Sequence, residues 1–201
     1  VTPFAVSSLI LVPLAHSHRL TPMRSLIRFA AALFLLAPAA LTAQSSADVL
    51  REAGGGPPRV MDPDFRAPAN LVYKRAWHVT EAPAQAADVV PGFRSPAQFF
   101  TLMDANGVPR RNVQLAIIVH GTATPSLLNN AAYKARTGAD NGSIALLTAL
   151  HEAGVQIIVC GHALSNRNVA RDQLLPFVKV ATTAATAHAI LHAQGYDVLS
   201  P

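Results

Sequence analysis

Two short apolar runs constrain the fold of this chain more than any other feature. They cover residues 114–119 (QLAIIV) and 155–160 (VQIIVC), and polar or glycine residues bound both. A continuous apolar run of this length is typical of a strand that is buried on both faces, as in a parallel sheet with helices above and below. The two runs therefore predict an α/β fold.

Helical segments alternate with these strands. Residues 71–79 (LVYKRAWHV) predict a strand, and Ser95-Pro96 predicts the start of a helix that ends near Asn106-Gly107. Asn141-Gly142-Ser143 offers a cap for a second helix, which Gly154 ends. The remaining predicted elements are a polar stretch at 161–173, a strand near 178–181, an alanine-rich helix at 183–194 and a strand at 196–199. This alternation predicts one domain over residues 69–201, a mostly parallel sheet with helices on both faces.

Three segments precede that domain. Residues 23–43 combine a basic start, an apolar stretch and small residues, which is typical of a secretory signal peptide. Its apolar part, 29–41, is interrupted by Pro38 and is shorter than the ~20 residues that span a membrane, so no stable membrane anchor is expected. We interpret residues 1–22 as an extension upstream of the true start. Residues 44–68, rich in glycine and proline, predict a flexible lead-in, and the mature protein is expected to be periplasmic or secreted.

Charge and cysteine content exclude several classes of protein. The net charge is +5, from 16 basic and 11 acidic residues. Arg19, Arg24 and Arg28 all precede residue 44, and the other 13 basic residues are nearly balanced by the 11 acidic ones. Nucleic acid is therefore not expected as a partner. The single cysteine excludes an intramolecular disulfide and any multi-cysteine metal site.

Chemically reactive residues follow both apolar runs. His120-Gly121 follows the first, and the second ends in Cys160-Gly161-His162. Ligands in open α/β sheets bind at the carboxyl ends of strands, so adjacent strands would gather Cys160, His120 and His162 at one edge. Gly121 and Gly161 would let the backbone approach a bound group, and both are candidates to line the pocket.

Cys160 has three possible roles on spacing alone. As a thiolate it could carry sulfur as a persulfide or form a mixed disulfide. It could instead be a small buried hydrophobe at the end of a core strand. A three-ligand metal site with His120 and His162 is the third possibility, but the pattern lacks a fourth ligand, and no metal or organic cofactor is expected.

Other polar residues carry weaker signals. Asn129 precedes a helical segment and is interpreted as a cap, although its amide could also line the pocket. His188 and His192 lie four residues apart on the alanine-rich helix and predict a solvated or interface stripe. His78 and His151 have no evident partner in the sequence.

Residues 116–199 resemble a known family. AIIVHGTATPSLLNN, EAGVQIIVCGHA and a closing helix that ends in QGY are similar to the DsrE/DsrF-like proteins, most closely the exported single-domain branch. The resemblance implies a parallel α/β sandwich with flavodoxin-like layering that assembles into homo-oligomers, trimers or hexamers. It also implies that Cys160 is the position that accepts sulfur as a persulfide, with His120 and His162 at the same edge.

Two functional hypotheses follow. The first is an exported sulfur carrier, sulfurtransferase-like at most, in which Cys160 receives sulfur from an unknown donor protein or small sulfur compound and passes it to an unknown acceptor. The alternative is a non-catalytic module that binds a small ligand or metal and acts as a homo-oligomer. Loss of sulfur loading in Cys160→Ser would separate the two.

Overall fold

The computed structural model describes residues 44–57 and 63–199. The predicted signal peptide, 23–43, and the predicted upstream extension, 1–22, lie outside these residues. In the described ranges no helix combines the length and apolar character needed to cross a membrane.

Five parallel strands form one sheet in the order β4-β3-β2-β1-β5. The strands are β1 (Tyr73–Val79), β2 (Val113–Val119), β3 (Gln156–Cys160), β4 (Lys179–Ala181) and β5 (Asp197–Leu199). β1 and β2 pair along seven residues, and Val119 of β2 pairs with Val159 of β3. The two apolar runs are therefore adjacent inner strands, as predicted, and their carboxyl ends meet.

Six α-helices lie within the described residues, of which the first precedes β1 and the others lie between strands. They are α1 (Ser46–Gly54), α2 (Arg94–Ala105), α3 (Asn130–Thr137), α4 (Ile144–Glu152), α5 (Gly161–Ser165) and α6 (Ala184–Ala193). Asn129 caps α3 and Thr183 caps α6, each by accepting a backbone N–H with its side chain. The predicted α/β class, a parallel sheet with helices on both faces, is confirmed.

The odd-numbered side chains of the inner strands face a large core. They include Leu115, Ile117 and Val119, which pack with side chains of α1, α2 and α4 such as Phe100 and Leu147. We call this cluster of 25 buried residues the large core.

The even-numbered side chains face a second, smaller cluster. Of the helices that the structure describes, only α6 contributes buried residues to it. We call it the small core, and its seven buried members are Ala76, Ala116, Ile118, Ile158, Ala187, Leu191 and Tyr196. Three of the seven are alanines, one each on β1, β2 and α6, so this face buries less side-chain volume than the other.

Part of the predicted lead-in is helical. Residues 46–54 form α1, whose N-cap Ser45 accepts the N–H of Asp48 and whose Ala53 is buried. Gly54 lies against α2 so closely that a Cβ would come within 2.8 Å of the Ala97 carbonyl oxygen. The expectation of a flexible lead-in was therefore wrong for this segment: the glycine that suggests a break permits close packing of two helices instead.

Candidate functional site

Cys160 is the last residue of β3 and lies at the N-terminus of α5. Its Sγ accepts a hydrogen bond from the backbone N–H of Ala163, at 3.4 Å. The side chain is 6% exposed. The thiol is thus placed at the ligand-binding end of the sheet, but its sulfur is largely covered in this conformation.

A groove of about 650 Å³ opens next to α5, and polar and apolar side chains line it together; Cys160 precedes its first lining residue, Gly161, and is not itself part of the lining. Gly161, His162 and Ser165 of α5 form one wall, and Thr182 and Thr183 form part of the other. A Cβ at Gly161 would lie 2.7 Å from the carbonyl oxygen of Ala181, so this position requires glycine for the close approach of α5 to β4. Gly161 lines the groove.

His162 presents an exposed imidazole to this groove. Its Nε2 is 3.2 Å from the side-chain nitrogen of Asn166, and its backbone N–H donates to the carbonyl of Thr182. Of the three histidine and cysteine residues that the sequence assigns to the site, His162 and Cys160 are therefore near neighbours on α5 and β3.

His120 follows β2 and is hydrogen-bonded to His78, which in turn contacts a third histidine. Its Nε2 lies 2.9 Å from Nδ1 of His78 on β1, and Nε2 of His78 lies 3.1 Å from Nδ1 of His188 on α6. We call His120, His78 and His188 the imidazole chain. In the described residues no hydrogen bond joins this chain to Cys160, so the site consists of two groups at the same end of the sheet rather than one.

Sequence reasoning missed the imidazole chain. His78 has a partner on each side, and His188 contacts the sheet instead of forming only a solvated stripe with His192. The usable signal was the alternation along β1, since Ala76 and His78 share the face that α6 covers. His151, also without an evident partner in the sequence, stacks on Phe177 with ring centroids 4.6 Å apart.

The environment of the imidazole chain disfavours protonation. Burial lowers the pKa of His78, and the neighbouring His120 and His188 lower it further because a second positive charge would be close. Burial also lowers the pKa of His120. Near neutral pH these two rings are therefore uncharged.

The other two candidate pocket residues support the backbone. Gly121 has φ +60°, and a Cβ there would lie 2.7 Å from the carbonyl oxygen of Thr80, so glycine suits this turn. The side chain of Asn129 caps α3 and donates to the carbonyl of Asp172. Neither residue lines the groove beside Cys160.

The described residues contain no group of three histidine, cysteine or acidic side chains arranged to hold a metal ion. In the imidazole chain both ring nitrogens of His78 are directed at different neighbours. The three rings therefore lie in a row rather than converging on one point.

The chain matches a family model and is similar to solved structures. The model of the DsrE/DsrF-like family matches residues 86–201. A similar solved structure is the protein of unknown function MTH1491 from Methanobacterium thermoautotrophicum, with 16% identity, coverage of 64% of this chain and 99% of that chain, and a TM-score of 0.46. No curated protein matches the chain.

Proposed function

The chain belongs to the DsrE/DsrF-like family, and on that premise we propose that Cys160 carries one sulfur atom as a persulfide. The observation that carries this proposal is the position of Cys160, the one cysteine of the chain, at the carboxyl end of an inner strand and directly before Gly161, which lines an open groove. In open α/β sheets this end of the strands is where ligands bind.

The proposed step transfers a sulfane sulfur. The Cys160 thiolate attacks the outer sulfur of thiosulfate, a new S–S bond forms at Cys160, and the S–S bond of thiosulfate breaks. Sulfite leaves with the electron pair of the broken bond. A persulfide or polysulfide donor reacts in the same way and leaves as a thiolate.

Two features of the site favour this chemistry. The backbone N–H of Ala163 already donates to Sγ and would stabilise a thiolate there. His162 lines the groove and is exposed, so we assign it the exchange of the thiol proton with solvent. His120 lies at the end of the adjacent strand, but its Nε2 is hydrogen-bonded to His78, so we assign it no direct part in the sulfur transfer.

We also propose that the protein works outside the cytoplasm as a homo-oligomer, a trimer or hexamer. The signal-like residues 23–43 and the resemblance to the exported branch of the family support this. The sulfur donor and acceptor would then be extracytoplasmic proteins or small sulfur compounds. We expect the mass of the exported protein to correspond to a chain that begins near Gln44. We expect the mass of the native assembly to correspond to three or six such chains.

Intact-mass spectrometry tests the carrier role. The full chain is incubated with thiosulfate or polysulfide and then with a reductant, alongside Cys160→Ser. Serine is a favourable N-cap residue, so this variant keeps an acceptor for the Ala163 N–H while it removes the sulfur. We expect a gain of one sulfur atom that the reductant reverses in the unsubstituted protein and not in the variant. No gain with either donor would refute the carrier role.

One observation favours the alternative, a non-catalytic binding module: Cys160 is only 6% exposed. If the thiol is purely structural, a small alkylating reagent will modify it only in the unfolded protein. If it is a carrier, α5 must open locally, and alkylation will proceed under native conditions without unfolding. The ratio of alkylation rates in the native and urea-unfolded protein separates the two functions.

A further inference from the structure

The imidazole chain has a limited capacity for protons. Each bond between two imidazoles needs one N–H and one bare nitrogen. When the three rings are neutral, His78 donates to one neighbour and accepts from the other, so both bonds form. One added proton makes His78 a donor to both His120 and His188, and both bonds persist.

A second proton cannot be accommodated in the same way. Wherever it binds, two N–H groups face each other across one of the 2.9 Å and 3.1 Å contacts, and the three rings together carry two positive charges. One of the bonds must then break. Both hydrogen bonds of the imidazole chain therefore persist with no added proton or with one, and one of them is lost with two.

The bond between His78 and His188 joins α6 to the sheet. α6 otherwise packs on the small core through Ala187 and Leu191, and its C-terminal end receives a hydrogen bond from Nζ of Lys74 to the carbonyl of Gln194, at 3.0 Å. The His188 contact is a polar link between the middle of the helix and β1, on the face with the less extensive core. Loss of this bond would consequently affect α6 more than any helix on the large core.

Three other ionisable side chains lie near the imidazole chain. Exposed Glu81, which follows β1, lines a cleft of about 270 Å³ together with His78. On α6, the ring of His192 is 6.5 Å from that of His188. Lys74 lies on the same strand as His78, at the far end of α6. No carboxylate among the described residues is hydrogen-bonded to the imidazole chain, and Glu81 is the acidic residue that shares a cleft with His78.

We propose that the imidazole chain is a pH-sensitive latch, which holds α6 on the sheet when it carries at most one added proton and releases the helix when it is protonated further. The lowered pKa values of His78 and His120 agree with this, because burial in the folded protein makes these two imidazoles harder to protonate than in the unfolded protein. The inference does not depend on the role of Cys160.

Hydrogen exchange of the full chain, read by mass spectrometry at pH 7.5 and pH 5.0, tests the latch. Protection is corrected for the intrinsic pH dependence of exchange, and peptides from 183–194 are compared with peptides from α2. We expect the protection of α6 to fall about threefold or more at pH 5.0, since one titrating group can change an equilibrium by up to tenfold per pH unit. The protection of α2 should fall less than that of α6, because α2 exchanges only when the whole domain unfolds.

Two variants make the test specific. His78→Gln and His188→Gln each remove an imidazole ring but keep a hydrogen-bonding side chain, and in both the protection of α6 should become independent of pH. His151→Gln, which alters a histidine on the opposite face, should behave as the unsubstituted protein does. If His78→Gln does not fold, His188→Gln decides alone.

Three results would overturn the proposal. They are equal protection of α6 at both pH values in the unsubstituted protein, a pH response that persists in the His78 or His188 variant, and an equal loss of protection in α6 and α2.

Discussion

On one face of the sheet, α1, α2 and α4 bury phenylalanine, leucine and isoleucine side chains in a cluster of 25 residues, whereas on the other face α6 covers seven, three of them alanines. The same strands build both faces, because successive side chains of a strand point in opposite directions. Two equally buried side chains therefore need not contribute equally to the free energy of unfolding. The contribution also depends on how tightly the surrounding side chains pack.

Ile117 and Ile118 offer the sharpest test of this difference. Both are 0% exposed and adjacent on β2, but Ile117 belongs to the large core and Ile118 to the small core. We expect Ile117→Ala to lower the free energy of unfolding by about 3–5 kcal/mol and Ile118→Ala by about 2–3 kcal/mol, because α6 can move to fill the smaller cavity. Urea denaturation measures both. Equal losses would show that the two cores are equally rigid.

Buried polar groups also hold the loops over the large core. Asn141 donates to the carbonyls of Ser126 and Leu128, both at 2.9 Å, and accepts the N–H of Ser143. Asn141→Ala leaves buried backbone groups without partners, and we expect a loss of about 2 kcal/mol in urea denaturation. Asn130→Ala, at an exposed position nearby, is the comparison variant. A loss below that of Asn130→Ala would mean that water replaces the amide.

The cap of α6 should matter locally. Thr183 accepts the N–H of Thr186 at 3.1 Å, and Thr183→Ala removes this bond. We expect a cost of about 1 kcal/mol, seen mainly as faster hydrogen exchange in residues 183–194. The adjacent exposed Thr182→Ala is the control. If exchange accelerates equally in α2 and α6, the helix does not open independently of the rest of the domain.

The smallest expected effect is that of mild acid on global stability. The folded pKa values of His78 and His120 lie below the ordinary histidine value of 6.5, so the unfolded chain binds more protons as the pH falls below 6.5. The stability that these neutral rings contribute is present above 6.5 and is lost as the pH falls through the folded pKa values. Urea denaturation should therefore give a lower free energy of unfolding at pH 5.0 than at pH 7.5. A smaller pH difference in His78→Gln is the accompanying expectation, and an unchanged difference would assign the effect to other groups.

Much of the fold could be predicted from local sequence. The apolar runs ending at Val119 and Cys160 were placed correctly on adjacent inner strands, and Thr183 and Gly195 bound the last helix closely. The position of α1 could not be predicted in this way. Its glycines suggest a break, and only packing against α2 shows that Gly54 is required for close approach.

The candidate site was predictable only in part. Cys160, Gly161 and His162 are contiguous in the chain, so the turn from β3 into α5 keeps them together beside the groove. The partners of His120 are distant in sequence: His78 is 42 residues before it, and His188 is 110 residues from His78. No local pattern connects residues so far apart.

Local sequence patterns are enough to predict the α/β class, the alternation of buried faces along each strand and the position of a lone cysteine at a strand end, because these depend on periodicity and on short-range turn chemistry. Which helix covers which face, and which histidines meet, depends instead on how distant segments pack. Strand order and helix packing join β1, the end of β2 and α6 in space, and the energies of the resulting imidazole contacts arise only after the chain has folded.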